Sequence, residues 1–310
     1  MSGPVNVEGD AVASDGESHA QPACVELIDG SEATVGRFAV RRVLPRRPRR
    51  TVGPWCFADH FGPASVTETS GLDIGPHPHI GLQTVTWLID GEVLHRDSLG
   101  SEQLIRAGEL NLMTAGGGVS HSEEATGAYL GGLEGLQLWV AQPDATRHGA
   151  PAFEHHDDLP TVELPGCVAT AIVGDIAGAS SPARRDTDHM GAELEIHGDT
   201  TIPLHPGYEH ALIVLRGSVG VDGTVVAPGT LAYLGTGRDE CHLEHREDAR
   251  VALIGGVECT EPLLMWWNYV ARTRDEIVDA HRDWTARDPR FGHVDSPLAA
   301  IDTSPPPWTS

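Results

Sequence analysis

From about residue 24 the chain runs in short apolar stretches cut by Gly, Pro and Asp, the rhythm of strands joined by tight turns. Thr84-Val85-Thr86-Trp87-Leu88-Ile89 stops at Asp90-Gly91, and Gly135-Leu136-Gln137-Leu138-Trp139-Val140 stops before Pro143. Further on, His210-Ala211-Leu212-Ile213-Val214-Leu215 turns at Arg216-Gly217. Val219-Gly220-Val221 then turns at Asp222-Gly223 into Thr224-Val225-Val226, a hairpin signature. One segment has helical period instead: Ile277, Ala280, His281 and Trp284 recur at three and four behind a Thr273-x-x-Glu276 capping box. The pattern predicts an all-β protein with one short C-terminal helix, and 36 Gly with 22 Pro favour barrels or sandwiches over a parallel sheet. Residues 1–22 lack apolar periodicity and read as a disordered tail.

Two spacings recur in the same order. His79 lies twelve residues before Gly91 and Gly108 thirteen before His121, while His205 lies twelve before Gly217 and Gly229 thirteen before His242. On a shared strand-turn pattern this predicts two copies of one β unit, at about 24–143 and 160–258, followed by the helix and a tail at 259–310.

Composition narrows the function. The 310 residues include 45 acidic and 21 basic ones, all of the latter arginine, for a formal charge of −24. Without lysine there is no Schiff-base chemistry and no phosphate-loop amine, and such acidity argues against general binding to nucleic acid or anionic membranes. Five cysteines, odd in number and forming no Cys-x-x-Cys pair, suggest a reducing compartment. The first residues are polar and acidic, unlike a signal peptide, and no apolar run approaches the ~20 residues of a membrane span, so a soluble cytoplasmic protein is expected. Arg37, Arg41, Arg42, Arg46, Arg47, Arg49 and Arg50 crowd one stretch that could meet nucleic acid or an acidic partner; in so acidic a chain, internal ion pairing is the stronger expectation.

The chemistry concentrates in Pro76-His77-Pro78-His79. On an extended segment alternate side chains share a face, so His77 and His79 converge. His121 and Glu123 repeat that spacing, and if the two strands face each other inside one barrel they supply three imidazoles and a carboxylate. Such a set suits one borderline divalent ion, iron(II) first, with manganese, nickel, copper or zinc as alternatives, and leaves positions open for substrate or oxygen.

Several segments then resemble one family. They are Asp59-His60-Phe61-Gly62-Pro63, Gly75-Pro76-His77-Pro78-His79-Ile80-Gly81-Leu82-Gln83-Thr84-Val85-Thr86, Met113-Thr114-Ala115-Gly116 and Val119-Ser120-His121-Ser122-Glu123. Gly135 to Val140, Glu261-Pro262 and Thr273-Arg274-Asp275-Glu276-Ile277 continue the match, which covers about residues 35–290. Together they resemble the pirin family of the cupin superfamily. The resemblance implies a bicupin of two antiparallel, jelly-roll-type barrels, with one metal held in the N-terminal barrel by His77, His79, His121 and Glu123. It also implies either a quercetin 2,3-dioxygenase-like enzyme, acting on a small aromatic substrate and dioxygen, or an iron-dependent regulator working through a protein partner. In the enzyme, Glu123 would double as ligand and base for a flavonol 3-hydroxyl proton.

The chain departs from the pattern at three places. Gln83 falls where many cupins place a glutamate ligand, and is expected to support the ligands rather than join them. Gly117 stands where many relatives carry a basic residue, so charge near the site mouth is expected to be lost. The second barrel keeps His205, Glu209, His242 and Glu244 but has Pro203 in place of a counterpart to His77; the family leaves this barrel empty, and a second site is the weaker expectation. Elsewhere, Cys56 is expected to be buried and unreactive. Trp266 and Trp267 are expected to lock the helix to a barrel, and His155-His156-Asp157-Asp158 to be a solvated loop.

Overall fold

Strands with water on one side keep the alternation expected of them, as in Phe38–Leu44, where Phe38 and Val40 are buried and Ala39 and Arg41 exposed. The computed structural model describes residues 25–35, 38–68 and 71–309. The tail expected at 1–22, Cys24 and Arg37 lie outside the described residues.

β1 is Glu26–Asp29. The first half continues with β2 (Ser31–Val35), β3 (Phe38–Leu44), β4 (Trp55–Val66), β5 (Ile74–His79), β6 (Leu82–Asp90), β7 (Glu92–Asp97), β8 (Glu102–Arg106), β9 (Leu110–Thr114), β10 (Val119–Glu124) and β11 (Gly131–Ala141), and the second copy opens with β12 (Ala152–His156), the counterpart of β1. The second half holds β13 (Thr161–Leu164), β14 (Cys167–Val173), β15 (Asp175–Ile176), β16 (Ala179–Ser180), β17 (His189–Ile196), β18 (Thr200–Pro203), β19 (Glu209–Arg216), β20 (Val219–Val221), β21 (Thr224–Val226), β22 (Thr230–Gly235), β23 (Glu240–His245) and β24 (Ala249–Gly256). A hairpin, β25 (Leu264–Trp266) and β26 (Tyr269–Ala271), leads into α1 (Arg274–Thr285).

Each half makes a barrel from a seven-stranded and a four-stranded sheet. The first pairs β12-β9-β6-β11-β4-β3-β2 with β5-β10-β7-β8, and the second pairs β1-β22-β19-β24-β17-β14-β13 with β18-β23-β20-β21. The orders correspond strand for strand, which is the duplication the spacings predict. Gly91, Gly108, Gly217 and Gly229 recur because each turn needs a positive φ, here +87°, +82°, +69° and +92°.

The outer strands are exchanged. β1, placed by the sequence spacing with the first unit, pairs with β22 in the second sheet, Ile28 opposite Leu231. Ile28 is thereby buried in the layer between the barrels, and Gly30 N–H donates to Gly229 O at 2.8 Å. β12 takes the matching edge of the first sheet, beside β9.

The two seven-stranded sheets pack face to face over a shared apolar layer that includes Val85, Trp87 and Leu138 from one and Ile213, Ala252 and Ile254 from the other. Polar contacts cross it. Trp87 Nε1 donates to Glu193 Oε2 at 3.0 Å, Trp55 Nε1 to Met190 O and Gly255 O at 3.1 Å, and Arg216 Nε to the buried Glu134 at 2.7 Å.

The barrel interiors differ. Leu194, Leu212, Val214 and Leu243 help fill the second with hydrocarbon. In the first, period two along β4 and β6 puts Asp59 between Phe57 and Phe61, and Thr84 and Thr86 between Leu82 and Leu88. Phe57 and Leu82 belong to one apolar cluster, Phe61 and Leu88 to another, so a polar belt separates two apolar ends. The site lies in that belt.

Thr273 caps α1 by accepting from Glu276 N at 3.3 Å, and the Glu276 carboxylate returns to Arg272 N at 3.1 Å. The four residues of the predicted stripe are buried, packing with Trp266, Trp267 and Ile80 of the first barrel. The C-terminal segment runs along the outside of β5 and β10, Ile301 N donating to Pro76 O and Ser120 Oγ to Phe291 O, each at 2.8 Å. Among the described residues no helix is long and apolar enough to cross a membrane.

Candidate metal centre

β5 and β10 pair antiparallel, with His77 opposite His121 and His79 opposite Val119, so the two expected ligand strands do face one site. The three imidazoles lie with ring centroids 4.4 to 5.1 Å apart, and their ligand atoms are all within 4.8 Å of one another. Such a group could hold a metal ion.

Hydrogen bonding turns the same atom of two rings inward. His77 Nδ1 donates to Gly75 O at 2.9 Å and His79 Nδ1 to Asn268 O at 3.1 Å. A carbonyl can only accept, so these Nδ1 atoms carry the protons and Nε2 is left as a lone pair. His79 Nε2 then faces His121 Nε2 at 3.0 Å, and His77 Nε2 is buried with no hydrogen-bond partner among the described residues. A lone pair sealed from water and unpaired is costly. A divalent cation is the partner this donor set fits.

Burial also settles the charge. It pushes His77 down to about 4, and it pushes His79 and His121 well below the ordinary range, with neighbouring imidazoles adding to the effect. All three are therefore neutral imidazoles at pH 7.

Glu123 is buried two residues beyond His121, and in the pairing of β10 with β7 it lies opposite His95. His121 lies opposite Asp97 in the same register. His95 Nδ1 is 3.4 Å from His121 Nδ1, its Nε2 is 3.2 Å from Asp97 Oδ2, and its ring stacks on Phe153 at 4.5 Å. Burial pushes the Asp97 carboxyl up, but hydrogen bonds from His95 and Ser101 outweigh it and hold the group below its ordinary value. Sequence reasoning missed both residues, although Leu94-His95-Arg96-Asp97 carries the same alternate spacing.

The other expectations resolve differently. Gln83 is not beside the imidazoles. Its position on β6 shares a face with Val85 and Trp87, turned toward the second barrel, and its Nε2 donates to Thr114 Oγ1 at 2.9 Å. At Gly117 the positive charge is supplied from elsewhere: Arg290 Nε donates to Gly117 O at 2.6 Å while pairing with Asp283. In the second barrel the expected four do not converge. His205 and His242 are exposed, Glu209 accepts from Gly53 N and Tyr233 OH at 2.6 Å, and Glu244 pairs with Arg246. β23 points Cys241 and Leu243 inward, which turns His242 out.

His155 and His156 lie on an edge strand rather than in a loop, because β12 pairs with β9. His155 Nδ1 bonds Asn111 Oδ1 at 2.8 Å and His156 Nε2 bonds Glu154 at 3.1 Å. Three arginines of the basic run pair internally as expected: Arg41 with Glu32, Arg42 through two 2.8 Å bonds to buried Asp59, and Arg49 with Glu26 and Glu209. Cys56 is buried against Trp139 O, and burial pushes its thiol up, so it is unreactive.

Comparison with known proteins agrees in both halves. The family model described as Pirin matches residues 37–140, and the one described as Pirin C-terminal cupin domain matches residues 190–292. A Pseudomonas aeruginosa protein named "Putative quercetin 2,3-dioxygenase PA1205" is 45% identical over 276 residues, covering 88% of this chain and 87% of that one. A pirin-like protein of Caulobacter vibrioides is 37% identical over 268 residues, covering 84% and 92%. The crystal structure of a quercetin 2,3-dioxygenase from Acinetobacter baumannii superposes with a TM-score of 0.88 at 41% identity, over 92% of this chain and 97% of that one. The two barrels are thus those of a bicupin.

Proposed function

The chain belongs to the pirin family, and on that premise we propose that it is a metal-dependent dioxygenase of the quercetin 2,3-dioxygenase type, acting on a flavonol or similar small aromatic enol. The observation that carries the reading is the inward set of imidazole Nε2 atoms, with Nδ1 of His77 and His79 tied to backbone carbonyls. In this reading His77, His79, His121 and Glu123 hold one divalent ion, iron(II) being the first candidate. When bound, such an ion supplies Lewis acidity toward an enol oxygen and a redox couple for dioxygen chemistry.

The chain's own residues supply the rest. Glu123 accepts the enol proton, since it is the one member of the set whose ordinary protonated form is neutral. Phe57 and Trp139, stacked at 4.0 Å, form an apolar wall against His79 that excludes water from that side. Four of the five cysteines lie among the described residues, and all four are free, which supports a cytoplasmic location as part of the proposal.

The test is metal content of protein purified without chelator, with oxygen consumption when quercetin meets the iron(II)-loaded chain. One metal per chain, with uptake lost in Glu123→Gln, is the expected result. One metal without uptake on any flavonol would move the reading to a regulator acting through a protein partner. No metal under any loading would remove both.

A further inference from the structure

We propose that His95 and Asp97 are positioning residues for the metal centre, forming a hydrogen-bonded chain that fixes which nitrogen of His121 faces the ion. The inference rests on the metal reading above. For His121 to hold a cation through Nε2, the atom 3.0 Å from His79 Nε2, its ring proton must sit on Nδ1. That proton points at His95 Nδ1, 3.4 Å away, which must be bare to accept it. His95 then carries its proton on Nε2 and donates to Asp97 Oδ2 at 3.2 Å. The far end is pinned by backbone, Asp97 Oδ1 accepting from Leu99 N at 2.9 Å and Ser101 N at 3.0 Å.

Each proton in the chain therefore has one place to be. His77 and His79 obtain the same service from main-chain carbonyls, which no substitution removes. His121 obtains it from side chains, and so its orientation is open to change by mutation. The stack on Phe153 holds the His95 ring in the plane that makes the contact.

Cobalt(II) binding to the full chain, followed by calorimetry and by the visible absorption of the bound ion, tests the chain directly. His95→Phe keeps the ring and the stack but offers no acceptor, and affinity is expected to fall about 10–100-fold. His95→Gln has a carbonyl to accept and an amide to donate, and is expected to recover most of that loss. Asp97→Asn is the sharper variant. Leu99 and Ser101 would hold its amide oxygen, so the NH₂ would face His95 Nε2, push the His95 proton to Nδ1, and set two N–H donors against each other. A loss of about 10–100-fold is expected there too, despite the unchanged shape, with an altered cobalt spectrum. A merely structural role predicts that Asp97→Asn binds like the parent and that Gln at 95 is no better than Phe; either result overturns the inference. Failure of the unsubstituted chain to bind cobalt would instead overturn the metal reading, and the relay with it.

Discussion

His77, His79 and His121 suit a metal ion because the chain both dries them and aims them. Drying has a signature that acid should reveal. Burial lowers His77 to about 4, and away from the site it does the same to His189 and His210. Between the unfolded value near 6.5 and about 4, the unfolded chain binds a proton that the folded chain refuses. The metal-free protein should therefore hold this stability above pH 6.5 and lose it as pH falls toward 4, at about 1.4 kcal/mol per pH unit for each group. Denaturant midpoints from pH 7 to 5 measure it, and a flat profile would contradict neutral, buried rings. Aiming is tested by substitution. His77→Ala, His121→Ala and Glu123→Ala should each abolish stoichiometric metal binding with the fold retained, whereas unfolding of His77→Ala would make the metal structural. The clustering of the three histidines was legible because a strand repeats every two residues, and His77 and His79 carry that spacing. What aims them was not: Gly75 O and Asn268 O are main-chain atoms without a side-chain signature, and Asn268 lies 189 residues from His79. His95 and Asp97 had the right spacing, but their meaning depends on the register of β7 against β10.

Strands, turns and the helix were legible wherever one face meets water or a glycine must turn left. The harder strands are those buried on both faces. β6 is covered by the second barrel on one side and by the belt on the other, so Thr84 and Thr86 mark a polar interior rather than a wet surface. β1 has four residues and nothing in them to say which edge they will join; only the partner strand decides. Gly81 shows how tightly one element is set by another. It follows β5, the strand of His77 and His79, with φ +67°, and a Cβ there would lie 2.2 Å from Val270 O. β26 would have to retreat, and β26 adjoins the Asn268 carbonyl that orients His79. Gly81→Ala should therefore cost at least about 1–2 kcal/mol in denaturation and weaken cobalt binding as well. Loss of stability with unchanged metal affinity would uncouple β26 from the site.

Across the whole molecule, composition announced an acidic surface but not where its arginines would go, since three of the six described arginines of the crowded run are spent on ion pairs within the fold. The duplication was legible; the broad apolar layer between the copies was not, because the second face of each sheet reads like ordinary core. That layer should make the two barrels melt as one. Calorimetry is expected to give a single transition, and Leu138→Ala, which empties a site in the shared layer, should lower it by about 2–5 kcal/mol without splitting it. Two separated transitions would refute the union. The exchanged edge strands carry that union into the chain's history. Two tandem copies of a unit can in principle drift apart, be shuffled or be lost singly, but here each copy holds the last strand of the other's sheet. A deletion at the midpoint would leave not one intact module but a sheet with an open flank inviting foreign strands. The repeat is readable as two, yet it can be inherited only as one.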